Sequence, residues 1–205
     1  FAIAVRKDDD RFADFPALIA YAKANPGKLR YSPGTVGALP HMVAAKVMQT
    51  SDVVAQVVPY PEIDNAVKDL RDFVVINPGV YNTNKDEVRV LAVLSELEGA
   101  SKIYGGAPRV EDFGIELGMR GLAPMGWNWW LVRKDTPEEV VAKLREAMGK
   151  AVNRDDVKQK LLAMGYVPLG YSPDQYEDIV GPVADDLKSG IDAIEWEKQK
   201  LKSVK

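Results

Sequence analysis

Two rhythms of apolar residues organise the chain: short unbroken runs, and longer stretches that recur every three or four positions. Residues 1–5, FAIAV, form a continuous apolar run closed by the charged turn 6–11, which predicts a buried strand. Asp14 is placed to cap a helix with Pro16 in its first turn, and Leu18, Ile19 and Ala22 form an apolar stripe that ends at Pro26. Residues 29–32 predict a short strand, and 37–50 a helix with Leu39, Val43 and Val47 inward. The β-branched run 53–58 predicts a strand ending at Pro59-Tyr60-Pro61. Ile63, Ala66, Val67 and Leu70 then fall on one face of a helix over 62–71, and residues 73–76 and 88–94 read as further buried strands. Strands alternating with helices in this way predict an α/β fold with mostly parallel sheets flanked by helices.

The pattern changes after residue 98. Residues 99–124 are rich in glycine and weakly periodic, so they predict a long connection with one short element near 110–113. Residues 127–132 predict an aromatic strand on which Trp127 and Trp129 share one face and Trp130 takes the other, all three as core. Thr136, Pro137 and Glu139 suit the N-cap, N1 and N3 positions of a helix to about residue 152, burying Val140, Val141, Leu144, Ala147, Met148 and Ala151. A further helix is expected from Asp155 or Asp156 through Met164, closed by Gly165. Ser172 and Gln175 repeat the capping-box spacing before a last helix that runs past Trp196, breaking or kinking near Gly181-Pro182, its cationic end solvated.

Composition narrows the chemistry. The 205 residues are 46% hydrophobic and 28% charged, which suits one large core or two small ones. Net charge is only −3, and the cations form no stripe, so no nucleic-acid partner is expected. With no cysteine, thiolate catalysis, disulfides and zinc–thiolate sites are excluded. His41 is the only histidine, and neither HExxH nor GxSxG surrounds it, so no catalytic residue, metal site or cofactor is assigned. No apolar run reaches membrane-spanning length and no signal peptide is visible; because the chain opens on Phe1 without a Met, the natural N-terminus is expected to lie further upstream.

Candidate binding chemistry sits in residues 33–38, PGTVGA, between a predicted strand and a predicted helix. A helix N-terminus presents unpaired N–H groups and a partial positive charge. Glycines let the backbone approach a bound group, so the loop suits a carboxylate or phosphate held without charged side chains. The plain alternative is a strand-to-helix turn that needs glycine backbone angles. Thr35, Tyr60 and Asn77 each have a comparable structural reading, as a turn residue, a hinge aromatic and a turn former. For His41, one turn into the helix, the expected role is to pin the loop through a backbone hydrogen bond.

Several segments together carry a family resemblance: AKANPGKLRYSPGTVGALPH at 22–41, VVPY at 57–60, LAVLSE at 91–96, GWNWWLVRKDTPEEVVAKLREAM at 126–148 and MGYVPLGYSPDQY at 164–176. In this order they resemble the substrate-binding proteins of tripartite tricarboxylate transporters, the Bug-type periplasmic solute receptors. The resemblance implies a two-lobed, Venus-flytrap α/β protein that captures a small carboxylated metabolite between its lobes. It would deliver that solute to the membrane subunits of its transporter, as a periplasmic monomer without enzymatic activity. Residues 1–125 would form the second lobe and 126–205 the returning part of the first lobe, whose opening segment of about 100 residues is not in this chain. The resemblance places ligand contacts on Gly34, Thr35, Val36, Gly37 and Ala38, on Tyr60 after the next strand, and on Asn77. The family often has serine where Ala38 stands, and it usually shows a glycine and an aspartate between the helix ending near Leu70 and the strand at Phe73, where this chain is abrupt, as if several residues were missing. A different class also fits the loop: an enzyme or sensor domain that binds a phosphate- or carboxylate-containing small molecule there.

Overall fold

A computed structural model describes residues 1–60, 62–69, 72–95, 99–119, 130–164, 166, 168 and 170–204. Among the described residues five strands form one sheet: β1 (Ala2–Arg6), β2 (Arg30–Ser32), β3 (Gln56–Val57), β4 (Phe73–Ile76) and β5 (Val88–Val93), in the order β3-β2-β4-β1-β5. β2 is parallel to β3 and β4, whereas β1 is antiparallel to both β4 and β5. Four strands thus run one way and β1 runs against them, which makes the sheet mixed around its first strand. The alternation of strand and helix signals carries no direction here. Residues 7–14 turn the chain before α1 (Phe15–Ala24), and β2 is not a neighbour of β1.

The pleat sorts the apolar residues into two cores. Ile3 and Val5 face one way with Phe15, Leu18, Tyr31, Val43 and Val47, from α1, β2 and α2 (Leu39–Thr50). Ala2 and Ala4 face the other way with Val74, Ile76, Ala66, Val67 and Val80, under α3 (Ile63–Lys68) and α4 (Pro78–Asn84). Helices on both faces of a sheet are the packing that such two-sided burial requires. Local signals mark the starts: Asp14 accepts the Ala17 N–H at 2.8 Å, and Asn77 accepts that of Val80 at 2.9 Å. Within the glycine-rich connection lie α5 (Ala100–Ile103) and a 3₁₀ turn, Val110–Phe113, the latter where the sequence predicts it.

The second half departs further from expectation. α6 (Glu138–Val152) starts with Pro137, not Thr136, in the capping position and has no side-chain cap. Neither α6 nor α7 (Asp155–Ala163) buries a residue, and Val140 and Leu144 are exposed. Residues 130–132 are not a strand, and Trp130 is 78% exposed, so its reading as core does not hold. Trp127, Trp129, Leu70, Arg71 and Gly165 lie outside the described residues. The capping box at Ser172 is present and leads through a 3₁₀ turn into α8 (Tyr176–Ser203), which continues through Pro182 without a break. The end of α8 is not simply solvated. Ala193, Ile194 and Glu197 are buried, and Ala193 and Ile194 pack with Met42 and Ala45 of α2, so α8 reaches from the segment after residue 125 onto the sheet that precedes it.

Candidate functional site

Because β3, β2 and β4 are adjacent and parallel, their carboxyl ends open on one edge of the sheet. Residues 33–38 leave β2 there, Tyr60 follows β3, and Asn77 follows β4, so the structure brings the three candidate segments together. Ligands of open α/β sheets sit beyond such strand ends. Sheet pairing joins the first two segments: the Val58 N–H donates to the Tyr31 carbonyl at 2.8 Å, and the Tyr60 N–H to the Gly34 carbonyl at 3.1 Å. Ser95, buried, leaves β5 at this same edge and is a polar residue that the sequence reading did not single out.

The loop is built from inside outward. Pro33 and Gly34 are buried, whereas Thr35, Val36 and Gly37 are exposed. The Gly34 N–H donates to the Ser32 hydroxyl at 3.1 Å, Ala38 N–H to the Thr35 carbonyl at 3.2 Å, and Gly37 N–H to Nδ1 of His41 at 2.9 Å. Gly34 and Gly37 have φ of +79° and +83°, angles that a side chain with a Cβ adopts at a cost. Among the described residues, the Thr35, Val36 and Leu39 amides have no partner. They lie at the start of α2, and residues 33–41 contain no Lys, Arg, Asp or Glu. Backbone N–H groups are therefore what this segment offers an anion.

The side chains of the other candidates are engaged locally. The Tyr60 hydroxyl donates to Asp69 at the end of α3. Asn77 Oδ1 is taken by the Val80 amide, as a cap. His41 takes the loop-pinning role that its position suggests. Its second nitrogen, Nε2, lies 2.9 Å from Oε2 of Glu197, whose Oε1 accepts the Tyr31 hydroxyl at 2.8 Å. Burial, and then the Glu197 charge, push the Tyr31 phenol well above its ordinary value, so it stays a donor. Glu197 and Tyr31 are the partners that sequence reasoning missed. The available signal was spacing: Val183, Gly190, Ala193, Ile194 and Glu197 share the inward stripe of one helix, and the last of them is charged.

The opposite edge of the sheet is closed by charge. Asp72, only 9% exposed, accepts the Arg30 N–H at 2.7 Å and an Arg11 guanidinium N–H at 2.9 Å, tying the start of β4 to β2. This end is a structural clamp.

Residues 3–195 match the family model described as "Tripartite tricarboxylate transporter family receptor". A UPF0065 protein from Pseudomonas sp. is 28% identical over 177 residues, 83% of this chain and 51% of that protein. Among solved structures, an R. palustris protein with adipate superposes with a TM-score of 0.71 at 22% identity, over 94% of this chain and 64% of that one. The periplasmic binding protein BugD superposes with a TM-score of 0.69 at 17% identity, over 94% of this chain and 65% of that one. The chain spans about half the length of the curated relatives it matches.

Proposed function

Since the chain belongs to the tripartite tricarboxylate transporter receptor family, we propose that it serves as a periplasmic solute receptor that binds a small carboxylate and hands it to the membrane subunits of a transporter. The observation that carries the reading is the loop 33–38, with partnerless Thr35 and Val36 amides at the start of α2, on the edge where three parallel strands end. A carboxylate oxygen accepting two backbone N–H groups is oriented as well as neutralised, and hydrogen bonds to charged groups are each worth roughly 1.5–3 kcal/mol.

In this reading Thr35 and Val36 supply amide donors, and Gly34, Gly37 and Ala38 give the loop its shape. Tyr60 and Asn77 form the rim. Residues 1–125 are the second lobe, and 126–205 carry the return toward the first. Adipate in the R. palustris structure supports a dicarboxylate as the solute class. The binding is without turnover, and the receptor acts as a monomer.

Isothermal calorimetry of the full chain against adipate, citrate, an aromatic carboxylate and an amino acid tests the proposal. At least one carboxylate is expected to bind with 1:1 stoichiometry and to be recovered chemically unchanged. A panel without binding, or a carboxylate converted to product, overturns it.

A further inference from the structure

The sole histidine of the chain joins α2 to α8. His41 and Glu197 are each 1% exposed. Nδ1 of His41 accepts the Gly37 N–H at 2.9 Å, and a ring nitrogen that accepts carries no proton. The proton of the neutral imidazole therefore sits on Nε2, 2.9 Å from Glu197 Oε2. An ionised carboxylate only accepts, so Glu197 selects this tautomer over the one that would turn a proton toward the Gly37 amide. Its other oxygen is held by Tyr31, on the strand that feeds the loop.

Docking of α8 does not need this acid. Gly190 lets the helix approach until a Cβ there would lie 2.7 Å from the Met42 Cβ, and Ala193 and Ile194 complete an apolar contact. A carboxylate in such surroundings costs free energy that an apolar residue would not. What it adds is two buried hydrogen bonds: one takes the Tyr31 hydroxyl on the strand that feeds the loop, and the other sets the state of the His41 ring, which holds the Gly37 amide.

We propose that Glu197 is a positioning residue for the anion loop: from α8 it fixes the Nε2–H tautomer of His41, which holds Gly37 inward and leaves Thr35 and Val36 exposed for the ligand. What the loop binds rests on the receptor reading; the geometry of the relay does not. By reciprocity, a ligand that prefers the held loop also tightens α8 on α2.

The full chain, labelled with ¹⁵N in histidine and glycine, gives the test, since one histidine makes its ring spectrum a single-residue signal. The wild-type ring is expected to show a bare Nδ1 and a protonated Nε2 at neutral pH. In Glu197→Ala the tautomers should mix and the Gly37 amide should shift and lose about ten-fold or more of its exchange protection, with adipate affinity falling by a similar factor. Glu197→Gln, whose amide oxygen still accepts Nε2–H, should keep the wild-type ring signals and hold affinity to within about three-fold. A wild-type ring protonated on Nδ1 overturns the proposal, even if Glu197→Ala does not fold. So does a folded Glu197→Ala with unchanged ring and Gly37 signals. A wild-type chain that does not bind adipate counts against that solute, while the ring and amide signals still decide the relay.

Discussion

Gly37 carries two constraints that substitution separates. Its φ of +83° needs a residue that tolerates the left-handed region, and its N–H is committed to His41, yet nothing lies within 4 Å of where a Cβ would stand. Gly37→Ala keeps the donor and should cost only the backbone penalty, about 1–2 kcal/mol. Gly37→Pro also removes the donor and leaves the buried Nδ1 without a partner, adding about 1–3 kcal/mol and disordering the loop. Urea unfolding of the two variants checks this, and equal losses would show that the Gly37–His41 bond adds nothing to stability. Thr35→Val is the matching probe of the ligand side: it keeps the amide and deletes the hydroxyl, so carboxylate affinity should change by less than about three-fold if the backbone does the binding. A ten-fold loss in calorimetry would instead make the hydroxyl a principal contact. At this scale the sequence showed the loop, its glycines and the pinning role of His41. It could not show that the Gly37 amide is spent on that pin, because the pairing depends on the ring orientation that Glu197, 156 positions away, imposes.

Elements with strong local signals formed where the sequence placed them. Asp14 caps α1, Ser172 opens the turn before α8, and a 3₁₀ turn forms at Val110–Phe113 in the glycine-rich connection, which also holds the unexpected α5. Where context decides, the outcomes differ. Val53, Val54 and Ala55 are buried but only Gln56–Val57 pair as β3, since β-branched residues fill a core with or without a ladder. The apolar stripe of α6 announces a face that suits burial without saying against what, and its Val140 and Leu144 stand exposed here. Pro182 removes one hydrogen bond yet does not end α8, a helix of 28 residues. The contact of α8 with α2 can be tested at its tightest point. A Cβ at Gly190 would lie 2.7 Å from the Met42 Cβ, an atom close to the backbone that cannot swing aside, so Gly190→Ala should force the helices apart and cost about 1–3 kcal/mol despite the better helix propensity of alanine. Hydrogen exchange should rise first in the amides around Ala193 and Glu197. A variant as stable as the wild type, or more so, would mean that the helices do not approach this closely.

Over the whole molecule, burial is uneven, and that sets two solution properties. Burial raises the Tyr31 and Tyr104 phenols above the ordinary tyrosine value, so both stay protonated in the folded chain while an unfolded tyrosine ionises near pH 10. A folded pKa above the unfolded one gives a contribution that is complete below about pH 10 and is lost as pH rises beyond it. The Tyr31 and Tyr104 phenols should therefore ionise only as circular dichroism reports unfolding, and a Tyr31→Phe/Tyr104→Phe chain should lose stability less steeply above pH 10. Ionisation of these two phenols with the fold intact would contradict the burial. The other property comes from the half of the chain that buries little. Trp130, Leu131, Leu144, Leu162 and Met164 are exposed at 43–82%, on segments whose helices α6 and α7 have no buried residue, while the sheet and its helices form two full cores. Apolar area shown to water on this scale promotes association, at roughly 25 cal/mol for each Å² removed on contact. The 205-residue chain by itself should therefore self-associate at concentrations on the order of 10 μM and bind an apolar dye. Leu131→Ser with Leu144→Glu should reduce both without moving the urea midpoint, because neither side chain contributes to a core. Sedimentation velocity decides the matter: a wild-type chain that runs as one monomeric species at high concentration would require these residues to be covered by a packing other than the one described.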